Sequence, residues 1–74
     1  MNNKRRKSIN NIVNALKDSY DDLSEVLSEE EDSFESMPEG LQNSENGAKS
    51  EECIDILQSS VDLLEEVVDL LSEI

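Results

Sequence analysis

The side chains able to do chemistry in this sequence are nearly all carboxylates: 19 acids stand against 6 bases, with one cysteine and no histidine. The densest group is Glu29-Glu30-Glu31-Asp32, followed closely by Glu35 and Glu39. A calcium loop of the EF-hand type needs oxygen ligands at alternating positions, a central glycine and a closing glutamate, and that spacing is absent. Two carboxylates acting as acid and base need contrasting environments, one of them an apolar pocket. Structural zinc takes four nitrogen or sulfur ligands, of which Cys53 supplies one. The serines have no histidine beside them, and no glycine-rich phosphate loop is present. No catalytic, cofactor or metal site is expected, and the chain reads as a non-enzyme. The carboxylates are left with two roles, solvating a helix face or meeting a basic partner.

The elements that carry them are legible from the apolar spacing. In the first segment Ile9, Val13, Leu16, Tyr20, Leu23, Leu27, Phe34 and Met37 recur at gaps of three and four, with Glu30 in place of one apolar knob. Alternation of three and four means a helix, because a strand would need period two. Ile12 and Val26 widen the stripe slightly. This helix is expected over about residues 4–35, ended by Pro38, which cannot continue it. Residues 50–74 are more regular: Ile54, Leu57, Val61, Leu64, Val68 and Leu71 form an unbroken a/d seam, β-branched at a and leucine at d. Two such helices imply an antiparallel hairpin, one all-α domain covering residues 1–74, too thin to hold a catalytic pocket.

The second helix is apolar over more than its seam. Cys53, Val67 and Ile74 fall at g, and Ile56, Leu63 and Leu70 at c. At about 100° per residue, a, d, g and c together sweep roughly 150°, more than one partner helix covers. These six residues are the candidates for self-association, and the hairpin is expected to dimerise into a four-helix bundle. Oligomerisation suits a chain of 74 residues, since lone cores of this size are marginal. Cys53, bordering the seam, is expected to pack as a small apolar residue.

Between the helices, residues 36–49 read as a connector. Gly40 and Asn46-Gly47 are turn formers. Ser44 and Ser50 are both N-cap candidates; the start near Ser50 is preferred because Glu51-Glu52 follows it in the favourable first turn. Leu41, alone among polar residues, is expected to fold back over the end of the hairpin.

Charge is segregated. Residues 18–74 hold all 19 acids and only Lys49, whereas Lys4-Arg5-Arg6-Lys7 gathers four of the six bases at the start. Antiparallel pairing would set those bases beside Glu65, Glu66, Asp69 and Glu73, which is preferred to a phosphate-binding arm. Direct nucleic-acid binding is not expected of a chain at −13, because phosphates would repel it. Carboxylates on rigid helices can instead imitate a nucleic-acid backbone and enter a basic groove, with fast, salt-sensitive association. Glu29, Glu30, Glu31, Asp32, Glu35, Glu39 and Leu41 are the candidate partner-binding residues. Glu30 is singled out because it interrupts the seam; the plainer reading is that the hairpin splays there and Glu30 reaches water.

No stretch approaches the roughly 18 consecutive apolar residues of a membrane span, and no apolar run follows the basic start as in a signal peptide. No membrane partner is expected. A cytoplasmic location fits the lone, reduced cysteine.

The connector Phe34-Glu35-Ser36-Met37-Pro38-Glu39-Gly40-Leu41-Gln42-Asn43-Ser44-Glu45 resembles that of a group of short acidic proteins from phages and mobile elements of Gram-positive bacteria. Those proteins combine a basic start, a heptad helix, an "MPE-x-LQ-x-SE" connector and a second acidic helix. The resemblance implies a phage-like origin and a bacterial cytoplasm, and it suggests that Pro38, Leu41 and Gln42 form a specific corner. The function expected is that of an interaction protein whose acidic surface blocks a basic, nucleic-acid-binding host or defence protein. The competing expectation is a structural, assembly or adaptor protein acting through bundle formation.

Overall fold

The structure is a computed structural model describing residues 1–74. Three helices follow one another: α1 (Asn3–Glu35), α2 (Glu39–Gln42) and α3 (Glu45–Ser72), with no strand. The long pair, α1 and α3, packs along most of its length, and the Cα atoms fill a rod of 58 × 14 × 13 Å.

α1 starts where Asn2 caps it: the Arg5 N–H donates to Asn2 Oδ1 at 2.8 Å, satisfying one of the free amides of the first turn. Its end is set by Pro38. The last carbonyls are taken by the Ser36 N–H, which donates to Asp32 O at 3.0 Å, and the Met37 N–H, which donates to Phe34 O at 3.1 Å.

The seam is the one expected. Val13 and Leu27 on α1 and Val61 and Val68 on α3 are buried, with Ile9, Leu16, Tyr20, Leu23, Phe34, Ile54, Leu57, Leu64 and Leu71 half-buried around them. No large side chain is fully enclosed, because two helices cover each other from one side only.

Facing residues fix the register. Tyr20 shares a groove with Glu65 and Val68, Phe34 with Glu51 and Ile54, and Val13 with Leu71. In that register about two turns at the start of α1 extend past the last turn of α3, where no helix accompanies them.

The connector departs from expectation in three ways. α3 begins at Glu45, a turn and a half before Ser50, because Ser44 is the cap: the Gly47 N–H donates to Ser44 Oγ at 3.3 Å. Ser50 lies inside α3 and is buried. The nominal turn former Gly47 is helical and buried because it is the contact point between α3 and the corner. A Cβ added there would run into the Leu41 and Gln42 backbone carbonyls. The connector also holds a helical turn, α2, opened by Pro38, whose fixed φ of −56° suits a helix start. Leu41 does not fold back; it is 54% exposed on α2. Gln42 does so in its place, its Nε2 donating to Phe34 O at 3.0 Å.

Candidate functional site

The acidic run occupies the last two turns of α1 and spreads around the helix rather than lining one face. Glu29, Asp32 and Glu35 are exposed, as is Glu39 at the head of α2, while Glu30 and Glu31 are half-buried. Glu31 and Glu35 face Glu51 and Asp55 across a shallow groove floored by Phe34 and Ile54. Carboxylates therefore stand on both banks of one channel near the connector.

Glu30 has a different role. It turns inward, and Ser50 Oγ–H donates to Glu30 Oε1 at 2.7 Å. The hairpin does not splay at this position: a hydroxyl on α3 closes the gap left by the missing knob. A short charge-assisted hydrogen bond of this kind fixes one helix against the other better than an apolar contact, which tolerates sliding. Leu41 and Glu39 stand out in solvent at the same end of the rod.

The basic cluster is placed at the opposite end. Arg6 borders a groove with Leu71, Ser72 and Ile74, so the bases do lie near the end of α3. They do not form the pairs expected: the single ion pair of the molecule is Lys49 Nζ to Glu45, 3.8 Å, between exposed side chains one helical turn apart. The reason is the overhang, which carries Lys4, Arg5, Arg6 and Lys7 beyond the last acidic turn of α3 into solvent.

The six candidate self-association residues all lie on the outer surface of α3. Cys53 is exposed rather than packed in the core, since position g turns away from a single partner helix. Ile56, Leu63, Leu70 and Ile74 are 58–65% exposed and Val67 is 42% exposed. Two further residues join them, Ile12 and Val26 on α1, both about half exposed. Each directly precedes a seam residue (Val13, Leu27), which turns it to the flank opposite Lys17 and Glu31. The two flanks of the hairpin differ accordingly. One is a set of charged grooves lined by Lys17, Glu31, Glu51 and Glu65; the other presents aliphatic side chains from both helices. The apolar character of α1 on this flank was readable from positions 12 and 26, one before the seam and two repeats apart, with Ser19 at the repeat between.

No set of three or more histidine, cysteine, aspartate or glutamate side chains is arranged to hold a metal ion, and no helix is long and apolar enough to cross a membrane. No protein-family model, curated protein or solved structure matches the chain.

Proposed function

We propose that this protein is a non-enzymatic, phage-like interaction protein of the bacterial cytoplasm whose acidic helical surface binds and blocks a basic, nucleic-acid-binding host or defence protein. The observation that carries this reading is the absence of internal compensation. Nineteen carboxylates are fixed on a rod 58 Å long, and one local Lys49–Glu45 contact is the only ion pair among them. Burial of charge is not what holds the hairpin together, so the carboxylates other than Glu30, which accepts from Ser50, and Glu45, paired with Lys49, are free to serve a partner.

Scale supports it as well. A net −13 along 58 Å is roughly one charge per 4.5 Å, and two chains side by side reach about one per 2.2 Å, approaching the one per ~1.7 Å of duplex DNA. In this reading the working unit is a homodimer, two hairpins joined as a four-helix bundle through the apolar flank. Size-exclusion chromatography with light scattering tests that part, and a stable folded monomer at micromolar concentration would overturn it.

The activity is tested by capture from a bacterial lysate at low and high salt, followed by a DNA-binding assay on the captured protein. The expected result is a nucleic-acid-binding protein held at low salt, released at high salt, and displaced from DNA by this chain. Retention of no such protein at low salt rejects the reading.

The exposed apolar flank favours a second reading, a structural, assembly or adaptor protein acting through helical-bundle formation. That reading expects binding with little salt dependence, lost on substitution of Leu41 and kept when Glu31 and Asp32 are reversed in charge.

A further inference from the structure

We infer that two copies of this chain pair antiparallel, about a two-fold axis passing beside Leu63 of α3 and Ser19 of α1, so that the basic end of each hairpin lies against the acidic connector end of the other. The inference rests on the homodimer reading above and adds the arrangement that reading leaves open.

The apolar flank matches itself under reversal, as a two-fold, isologous contact requires. On α3, turning the stripe end for end about Leu63 exchanges Ile56 with Leu70 and leaves Leu63 facing its own copy; Cys53 then comes within one residue of Ile74 at each end, and Val67 lies beside the small Ser59 and Ser60. On α1 the same operation about Ser19 exchanges Ile12 with Val26. The two centres agree: in the hairpin register Tyr20 lies abreast of Glu65 and Val68, so Ser19 and Leu63 are within about a turn of each other along the rod. Both helices thus place the axis at one level. Ser19, small and exposed, lets the α1 helices approach there.

The area suffices. Seven aliphatic side chains, each exposing on the order of 100 Å², give roughly 700 Å² per chain, against the ~800 Å² per partner of a standard stable interface and above the 300–600 Å² of a monomer's largest apolar patch.

Charge selects the direction. The connector end, residues 28–52, holds nine acids and one base; the open end holds five bases in residues 1–17 against four acids in residues 65–74. The ends therefore carry about −8 and about +1. A parallel pair would set −8 beside −8. The antiparallel pair sets each −8 end beside the open end of the other copy, where Lys4, Arg5, Arg6 and Lys7 stand exposed with no ion-pair partner in their own chain. This orientation brings the bases that the hairpin leaves unpaired to the end of the other copy that holds nine carboxylates.

Disulfide cross-linking with diamide separates the alternatives, using the native chain with its single Cys53 and a Cys53→Ser, Leu63→Cys variant. Light scattering first establishes that each is dimeric. In the antiparallel pair the two Leu63→Cys thiols meet at the axis, whereas the two Cys53 thiols are about 30 Å apart, far outside the ~7 Å Cα limit of a disulfide. The expected result is a covalent dimer from the variant, formed at least ~10-fold faster than any from the native chain. A dimeric variant that cross-links no faster than the native chain overturns the inference while leaving the dimer intact. A native monomer overturns both. Should the variant alone fail to dimerise, spin labels on native Cys53 give the distance directly: about 30 Å supports the antiparallel pair, and contact range rejects it.

Discussion

Replacing the Glu30–Ser50 pair tests whether this polar contact holds the hairpin together or only fixes its register. The perturbations are Ser50→Ala alone and Glu30→Leu combined with Ser50→Ala. Ser50 is 7% exposed, and its hydroxyl donates to Glu30 Oε1 at 2.7 Å. Hydrogen bonds to charged groups contribute about 1.5–3 kcal/mol when buried, and a half-buried Glu30, able to turn toward water, keeps the smaller part of that, about 1 kcal/mol. Alanine returns a few tenths through its helix propensity. Ser50→Ala should therefore lower the unfolding free energy by about 0.5–1 kcal/mol.

In the double variant, the leucine that replaces Glu30 supplies the missing knob of the seam. Burying roughly half of a leucine, on the order of 80 Å² at 25 cal/mol per Å², contributes about 2 kcal/mol, and one carboxylate leaves a crowded acidic turn. Against the lost hydrogen bond, the double variant should gain about 1–2 kcal/mol, raising the midpoint by roughly 5–10 °C for a chain of this size. The assay is urea and thermal unfolding followed by circular dichroism at one fixed protein concentration, because association makes stability concentration-dependent. A double variant less stable than the native chain by about 1 kcal/mol or more would refute the reasoning, and would make the polar pair a principal source of stability.

Three further outcomes are expected. Gly47→Ala places a methyl group against the Leu41 and Gln42 carbonyls, so overpacking of about 1–3 kcal/mol should outweigh alanine's better helix propensity of about 1 kcal/mol, giving a lower thermal midpoint. Leu27→Ala, at a seam position 6% exposed, should cost about 2–3 kcal/mol by urea unfolding, the low end of the core range because the cavity opens to solvent. Raising sodium chloride from about 0.02 to 0.5 M shortens the Debye length from roughly 20 to 4 Å and should raise the thermal midpoint, since repulsion within a chain at −13 is then screened; a falling midpoint would contradict this.

The parts of the fold legible in the sequence are those set by periodicity. The spacing of Ile9 through Phe34, closed by Pro38, predicts a helix over 4–35, and α1 runs Asn3–Glu35. The a/d series from Ile54 to Leu71 likewise marks the buried side of α3. What the spacing could not reveal depends on how far one helix slides along the other. Ser50, with Glu51-Glu52 after it, reads as the better cap than Ser44 until the position of α1 is known; then Ser50 faces Glu30, and Gly47 is held against α2. The same offset places the basic cluster on an overhang rather than beside Glu66 and Asp69. Cys53 reads as core only if α1 is imagined to cover the g positions, which one helix does not reach. For the candidate site, the residue types were legible and their separation was not: Glu30 belongs to the seam, whereas Glu31 and Glu35 belong to a channel shared with Glu51 and Asp55.

The length of the rod has a consequence for what any other molecule senses. At physiological ionic strength the Debye length is about 8 Å, so 58 Å of protein spans about seven screening lengths. A body that long presents no single net charge to its surroundings. A surface brought near the connector feels strong negative potential and almost nothing of the arginines at the far tip; one brought near the tip feels the reverse. Approaching charged matter therefore turns the rod before it binds it, and the encounter is selective for an end as well as for a sign.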